Sequence, residues 1–197
     1  MARYGNDHKV RTRRRVLETA ARRFKSDGID RSGVATLMKD AGLTNGAFYA
    51  HFASKDALVA SVVAEQLRRQ LQALTEISPG VPAAIEFIDV YLSPRHRDAP
   101  GDGCPSAALL ADIARGSDTV REAYTRNMRD VIDLVAVNLT PEHGDGARPA
   151  AVGLLGQLFG TIQLARAITD SDLSDDILTA GRATARAIVR RGVAVPN

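Results

Sequence analysis

Apolar residues recur along this chain at the spacing of helices, and no segment alternates between apolar and polar positions as a half-buried strand does. Over residues 9–27 they repeat every three or four positions, arginines occupy the opposite side, and Gly28 follows as a stop signal. The apolar positions are Val16, Leu17, Ala20, Ala21 and Phe24. The pattern predicts an amphipathic first helix with a basic outer face.

Three more helices are predicted before residue 80. A short second helix ends at Gly42, Thr44 caps a third, and Ser54 caps a long fourth helix that residues 78–80 terminate. The apolar positions that mark them are Val34, Leu37, Met38 and Ala41, then Phe48 and Tyr49, then Leu58, Val62, Leu67, Leu71 and Leu74.

Prolines and glycines divide the rest of the chain. All eight prolines lie at breaks between periodic segments or at the terminus, where a helix cannot simply continue. Pro82 suits the first turn of a fifth helix that ends near residue 92, and residues 93–103 form the longest predicted loop. Four further helices are predicted over residues 105–115, 117–139, 149–168 and 174–191. The expected fold is all-α, with about nine helices.

Composition agrees with a helical, globular chain. Of 197 residues, 45% are hydrophobic and 25% charged, which excludes wholesale disorder. Aromatic residues make up only 5% with no Trp, while good helix formers abound, so a β-sandwich is poorly supported. The single cysteine, Cys104, excludes an internal disulfide, and no signal-like stretch opens the sequence. A cytoplasmic protein is expected.

Positive charge is concentrated in the N-terminal third. Residues 1–60 contain 12 Lys and Arg against 6 Asp and Glu, whereas residues 61–197 contain 14 against 17. Nine of the basic residues lie within residues 1–25. This asymmetry indicates a polyanionic partner for the N-terminal third, either nucleic acid or anionic lipid, with a solvated charged face as the alternative.

The segment 35–58 carries the most specific signal. A helix, a tight turn at Gly42 and a second helix after Thr44 form a helix-turn-helix, which inserts a recognition helix into the DNA major groove. Gly42 supplies the positive φ that the turn requires. The small residues Ala41 and Ala47 let the helices approach, and Phe48 and Phe52 are expected to be buried between the helices.

This segment resembles the DNA-binding domain of the TetR/AcrR family of transcriptional regulators. The matching residues are 14–24 with Gly28, 41–44, 48–52 and 54–58, about a quarter of the chain. Many relatives have Ile-Ala in the second helix where this chain has Leu37-Met38, a difference that alters helix packing without removing a DNA contact.

The resemblance implies a role for several residues on double-stranded DNA. Base edges would be read by Thr44, Asn45, Gly46 and Ala47, and phosphates would be bound by Arg14, Tyr49, His51 and Lys55. Packing with solvent-exposed tips is the alternative for Tyr49 and His51. The arginine cluster of residues 11–15 fits an N-terminal arm on the minor groove or the phosphates, or else a disordered tail.

The resemblance also implies two domains and a homodimer. Residues 1–56 would be the helix-turn-helix domain, and residues 57–197 the effector-binding and dimerisation domain. Residues 150–165 contain no charge, so their helix is expected to be buried on several sides. A membrane span is the rival interpretation, but Gln157, Gln163 and Arg166 interrupt a stretch that is too short.

A dimer seam of four helices is expected from the last two helices of each copy, with ordinary core as the alternative. Its predicted members are Gly153, Gly156, Gly160, Ile177, Ala185 and Ile188.

An effector pocket is expected among helices five to eight. Its predicted lining is Phe87, Tyr91, Cys104, Leu109, Ile113, Tyr124, Met128 and Phe159. This mostly apolar set favours an apolar or aromatic small molecule, although the same residues would serve equally well as core. Cys104, beside a predicted helix start and near His96, is either a redox or electrophile switch or an inert buried thiol.

Catalytic and metal signals are weak. The chain has no HExxH, no G-x-S-x-G and no phosphate-binding glycine loop, and its four histidines and single cysteine lack ligand spacing. No cofactor, metal or membrane partner is expected. The resemblance implies a repressor that a small-molecule or electrophile effector releases from a palindromic operator. A constitutive architectural DNA-binding protein and a cysteine-dependent enzyme remain the alternatives.

Overall fold

The computed structural model describes the backbone of residues 2–77 and 79–190, and the side chains within them except those of residues 2–6, 141 and 142. That part of the chain is all-α, as the sequence predicts, with nine α-helices and three short 3-10 helices. The α-helices are α1 (Ala2–Asp27), α2 (Val34–Asp40), α3 (Lys55–Thr75), α4 (Val81–Tyr91), α5 (Pro94–Asp98), α6 (Pro105–Arg115), α7 (Asp118–His143), α8 (Ala147–Ala167) and α9 (Ser171–Arg190). The 3-10 helices are Asn45–Ala50, Pro100–Asp102 and Gly144–Gly146.

The N-terminal helices close over one apolar cluster. Phe24 of α1, Leu37 and Met38 of α2, and Phe48 and Phe52 after the turn are all buried. Gly42 has φ +67°, so the positive φ predicted for the turn is confirmed. The larger Met38 is fully buried, and the core of the three helices accommodates it.

The predicted third helix is present with a tighter winding than an α-helix, and its predicted side-chain cap is wrong. The third helix is a 3-10 helix in which Ala47 N–H donates to Thr44 O and His51 N–H donates to Phe48 O. Thr44 precedes it but makes no capping bond through its side chain. The helix spans only six residues between Gly42 and the chain reversal at residues 51–54, which favours the tighter winding.

α3 runs from the helix-turn-helix into the rest of the molecule. The Ser54 hydroxyl accepts from Ala57 N–H at its start, so the predicted cap is confirmed. One face packs on α1 and another on α7, which buries Leu58, Val62 and Leu67. Because α3 is continuous, the two predicted domains share this helix.

Three predictions about where helices begin and end are also wrong. Residues 93–103 are not a plain loop, since they form α5 and a 3-10 turn. α7 continues through Pro141 to His143, because a proline in the last turn removes only one hydrogen bond of a long helix. α1 begins at Ala2, so the cluster 11–15 is helical and is neither an extended arm nor a disordered tail.

α8 and α9 pack against each other through a close contact. Gly181 of α9 lies directly on Thr161 of α8, with no room for a Cβ atom. α8 buries one broad apolar face, including Leu154, Leu158 and Ile162. No helix in the described residues is long and apolar enough to cross a lipid bilayer.

Candidate nucleic-acid interface and ligand cavity

The 3-10 helix Asn45–Ala50 presents its start to solvent. Thr44, Asn45 and Gly46 are exposed, and a Cβ added at Gly46 would meet nothing within 4 Å. Ala47 is only half-exposed because it packs on the core. The side chains free to contact a partner are therefore those of Thr44 and Asn45, next to bare backbone at Gly46.

Tyr49 is a large aromatic residue that projects from the same helix into solvent. Its ring stands edge-on against Phe48, with centroids 5.2 Å apart, and 74% of the residue is exposed. The buried Phe48 fixes the direction of the helix, so Tyr49 projects its hydroxyl away from the core. The alternative in which Tyr49 packs inward does not fit this exposure.

His51 and Arg13 join the 3-10 helix to α1. The Arg13 guanidinium carbon lies 4.4 Å from the centre of the Phe52 ring, and Arg13 Nη2 donates to Ser61 Oγ at 3.2 Å. Burial, and then the nearby Lys9, Arg13 and His8, lower the pKa of His51. Positive groups of α1 thus surround the end of the 3-10 helix.

Lys55 and Arg14 are the other two predicted phosphate contacts. Lys55 is the first residue of α3, and its amine is 3.5 Å from Asp30 O, a long contact that leaves it available to an anion. Arg14 is exposed and pairs with Glu18 at 3.0 Å, an i,i+4 ion pair. The Arg14 guanidinium beside Glu18 lowers the pKa of that carboxyl.

The basic residues of α1 differ in burial. Lys9, Arg11, Arg14 and Arg15 are exposed. Lys25 does not belong to this basic surface, because it is only 8% exposed and faces a cavity. Its position one residue after the buried Phe24 and four after the buried Ala21 is the signal that places it inside.

The predicted dimer residues lie on different faces. Gly153, Gly156 and Gly160 are exposed, and a Cβ at any of them would meet open space. Ile177 and Ile188 are partly buried. Ala185 is fully buried inside the chain and therefore cannot contribute to an interface with a second copy.

An open groove runs between α8 and α9 on this exposed side. Gly156, Gly160, Leu164 and Ile177 are among the residues that line it. Leu164 and the neighbouring Val152 are about half-exposed although they are apolar. The chain alone leaves this apolar face uncovered.

A cavity of about 620 Å³ opens between α1, α3, α4, α5 and the start of α6. Phe87, Tyr91 and Cys104 of the predicted pocket line it. The other five residues do not, since Leu109, Ile113, Met128 and Phe159 are buried core and Tyr124 Oη donates to Ser106 Oγ at 3.0 Å. Periodicity cannot separate core from cavity lining, which explains these errors.

The cavity wall is more polar than the sequence predicts. Besides the apolar side chains it carries Lys25, Gln66, Arg69, Gln70, Arg95, His96 and Asp102. A purely apolar ligand would leave these groups without hydrogen-bond partners.

His96 holds two parts of the wall together. Its Nδ1 lies 2.6 Å from Tyr91 O, a carbonyl that can only accept, so Nδ1 is the donor. Its Nε2 accepts from Cys104 N–H at 3.1 Å. This ring is therefore neutral, and burial lowers the pKa of His96 in agreement with that state.

Cys104 is a half-buried thiol at the N-terminal end of α6. It precedes the first residue of α6, as predicted, and its Sγ lies 3.5 Å from Gln70 Oε1. In the described residues no cluster of three or more His, Cys, Asp or Glu side chains could hold a metal ion.

Arg166 of α8 fixes the segment that carries His96. Its guanidinium donates to His96 O at 2.7 Å, Arg97 O at 3.0 Å and Ala107 O at 3.2 Å. These three carbonyls belong to α5 and α6, so Arg166 connects α8 to the cavity wall. Burial lowers the pKa of Arg166.

Comparison with known proteins gives a consistent result. Residues 16–62 match the family model described as bacterial regulatory proteins, tetR family. The chain is 23% identical over 128 residues to the HTH-type transcriptional regulator UidR of Escherichia coli, a match that covers 60% of this chain and 65% of UidR. It is 35% identical over 69 residues to the HTH-type transcriptional repressor Rv1474c of Mycobacterium tuberculosis, covering 35% of this chain and 37% of the repressor.

A solved structure extends the similarity to the whole fold. The reduced form of NemR from E. coli superposes with a TM-score of 0.77 over 92% of this chain and 99% of NemR, at 21% identity. The shared arrangement therefore includes the helices beyond residue 62.

Proposed function

We propose that the chain is a member of the TetR/AcrR family of transcriptional regulators and a homodimeric repressor, released from a palindromic operator by a small molecule. The observation that carries this proposal is the exposed 3-10 helix Asn45–Ala50 beside the basic face of α1. Its exposed polar start is suited to base edges, and the surrounding cations are suited to phosphates.

The proposed base contacts follow from the exposed groups. Asn45 has the amide that pairs with adenine through two hydrogen bonds, and Thr44 offers a hydroxyl. Gly46 allows the backbone to approach closely, and the half-exposed methyl of Ala47 suits contact with a thymine methyl. Asn45 is the strongest source of sequence preference in this set.

The proposed phosphate contacts surround the base contacts. Tyr49 projects from the same helix, Lys55 stands at the positive end of α3, and Arg14 lies on the exposed face of α1. His51 is partly buried beside Arg13 and Lys9, so its contact would be made by the exposed part of its ring.

Dimerisation through α8 and α9 would pair two such surfaces. The groove at Gly156, Gly160 and Leu164 is uncovered, so the helices of a second copy could approach α8 and α9 closely there. A two-fold axis there would set two recognition helices about 34 Å apart, in successive major grooves. We place residues 1–56 as the DNA-binding unit and 57–197 as the effector and dimerisation unit.

Effector binding would act through the cavity at the junction of these units. A ligand that fits only one arrangement of α1, α3 and α6 shifts the equilibrium away from the DNA-binding state. DNA must then weaken ligand binding by the same factor. An open cavity of this size disfavours the constitutive architectural alternative. These roles require binding and no catalytic step, and an operator DNA as partner supports a cytoplasmic location.

The test is to select bound duplexes from a random pool and then compare two variants on the selected operator. A symmetric consensus is expected. Asn45→Ala should lose about 1–3 kcal/mol of discrimination at one A·T pair per half-site. Lys55→Ala, the matched phosphate variant, should weaken all duplexes alike and lower the salt slope by about one. Equal losses on operator and random DNA for Asn45→Ala would reject the base-reading role.

Cys104 supports a second, covalent mode of release. Its half-buried thiol lines the cavity, so an electrophile that enters the cavity would meet it. Full alkylation with N-ethylmaleimide should release DNA, and Cys104→Ser should abolish that response. Unchanged operator affinity after complete alkylation rejects this mode.

A further inference from the structure

The cavity contains a buried ammonium group without a counterion. Lys25 Nζ donates to Gln66 Oε1 at 3.2 Å and to Gly103 O at 3.0 Å, both neutral acceptors. An ammonium has three N–H groups, so one donor remains. In the described residues no carboxylate lies within 4 Å of this amine, and the nearby Asp102 is exposed. Burial without a paired charge is costly, and it lowers the pKa of Lys25.

Tyr91 on the cavity lining carries a buried hydroxyl. The residue is 6% exposed, and its hydroxyl lies beside the Cys104 thiol, with no nitrogen or oxygen partner in the described residues. Burial, followed by the neighbouring Cys104 thiol, raises the pKa of Tyr91 well above its usual value. The phenol is therefore protonated, and Tyr91 contributes its ring to the cavity lining.

The remaining charges do not cancel the charge of Lys25. Arg69 is already paired with Glu65 at 3.0 Å and Glu18 at 3.2 Å, and the His96 ring is neutral. Arg95 is exposed at the cavity rim and forms no ion pair in the described residues. The balance of Lys25 and Arg95 against Asp102 leaves an excess of positive charge on the lining.

Side chains of α4 supply the apolar part of the cavity lining. Phe87 is partly buried, its ring centroid 5.6 Å from that of Tyr91, and Val90 is 67% exposed. A ligand covering Val90 would remove apolar surface from water. A volume of about 620 Å³ suits a small organic molecule.

We propose that this cavity binds a small amphiphilic carboxylic acid, with its carboxylate at Lys25 and its aromatic or acyl body against Phe87, Val90 and Tyr91. Lys25 belongs to α1, so the carboxylate contacts the DNA-binding unit itself. This inference rests on the proposed function only for the step from ligand binding to DNA release.

The experiment uses acid and amide pairs of equal shape on the full chain without DNA. Titration calorimetry compares 4-phenylbutyrate with 4-phenylbutanamide, and decanoate with decanamide. The acids should bind at least about tenfold more tightly, as a charge-assisted hydrogen bond implies. Equal affinity within both pairs, or no binding of either acid at about 1 mM, overturns the proposal.

Lys25→Met keeps the length of the side chain and removes its charge. This variant should bring the acid-to-amide ratio close to one, whereas Lys39→Met, at an exposed position of α2, should leave it unchanged. Thermal unfolding checks the fold, and Lys25→Gln replaces Lys25→Met if the latter does not fold. An unchanged ratio in the variant at residue 25 contradicts the assignment of Lys25.

Anisotropy of labelled operator DNA separates the two proposals. Release by the acids and not by the amides supports both. Tight binding of the acids without DNA release keeps the site and rejects its regulatory role. Sequence-specific DNA binding without acid preference keeps the DNA-binding function and rejects the carboxylate site.

Discussion

Individual residues here have roles that depend on burial more than on residue type. Lys25 and Lys39 are both lysines of the N-terminal region, yet the first is buried against a cavity and the second is exposed. His96 is a similar case, because two backbone groups fix its neutral tautomer. A proton on Nε2 would remove the acceptor that Cys104 N–H uses.

The stability of the protein should therefore decrease as the pH falls from 7 toward 5.5. The folded state holds the pKa of His96 below its ordinary value near 6.5, while the unfolded chain takes up the proton at that value. The stabilisation is complete above pH 6.5 and is lost as the pH falls through the folded pKa. Arg166 of α8 and Lys25 of α1 face the ring and oppose its protonation.

Urea unfolding at several pH values measures this effect. His96→Gln, which retains a donor and an acceptor, should flatten the dependence between pH 7 and 5.5. His51 also has a lowered pKa, caused by burial and then by Lys9, Arg13 and His8, so some dependence should persist. A slope in His96→Gln equal to that of the original chain would show that His96 is not responsible.

The helices themselves could be predicted well from the sequence where a local signal sets their ends. Ser54 caps α3, Gly42 turns the chain and Pro82 opens α4, each through interactions within a few residues. The 3-10 winding of Asn45–Ala50 and the passage of α7 through Pro141 were not predictable in this way. Both depend on how the segments pack on the rest of the fold.

The cavity was predicted less well for a related reason. Leu109, Ile113 and Met128 have the same apolar pattern as Phe87 and Tyr91, and only packing decides which set lines a cavity. The polar part of the wall comes from α1, α3 and α5, which are far apart in sequence. No local pattern joins Lys25 to Gln66 and His96.

Contact between α8 and α9 gives a prediction for one glycine. Gly181→Ala should destabilise the fold, because the added Cβ would collide with the buried Thr161. Overpacking costs about 1–3 kcal/mol, against a gain in helix propensity of about 1 kcal/mol. Gly153→Ala on the exposed face of α8 is the matched control and should be neutral or stabilising.

Urea unfolding of these variants is the measurement. The double variant Gly181→Ala with Thr161→Ala should recover part of the loss, since it removes the atoms that collide. A single variant as stable as the original chain would mean that the two helices move apart without cost.

At the scale of the whole molecule, contacts between the two proposed units converge on α1 and the turn that follows it. Lys25 bonds to Gly103 O, and Ile29 N–H donates to Asp112 Oδ2 at 3.2 Å. Arg13 of α1 also donates to Ser61 of α3. The DNA-binding unit is therefore held by the cavity wall at one end and by α3 along its length.

The uncovered face of α8 gives a prediction about assembly. Gly156→Glu should produce a folded monomer, because a second copy would have to bury an unpaired carboxylate. Operator affinity should fall by at least about 100-fold, since one recognition helix loses its partner. Val137→Glu, at an exposed site on α7, is the control for added charge.

Light scattering gives the mass, and anisotropy gives the affinity. A Gly156→Glu protein that stays dimeric would exclude this face as the dimer interface. A monomer that keeps full operator affinity would show that pairing is not needed for DNA binding.

Because α3 is one continuous helix, a rotation of its cavity end also displaces its N-terminal end. Gln66 and Gln70 line the cavity, and the first turn of α3 lies about 17 Å away from Gln66, next in sequence to the proposed recognition helix. A swing of about 5° moves that turn by about 1.5 Å, and a two-fold pair doubles the change to about 3 Å. Hydrogen bonds to bases tolerate only a few tenths of an ångström. A rearrangement too small to disturb the core is thus large enough to spoil the fit to DNA.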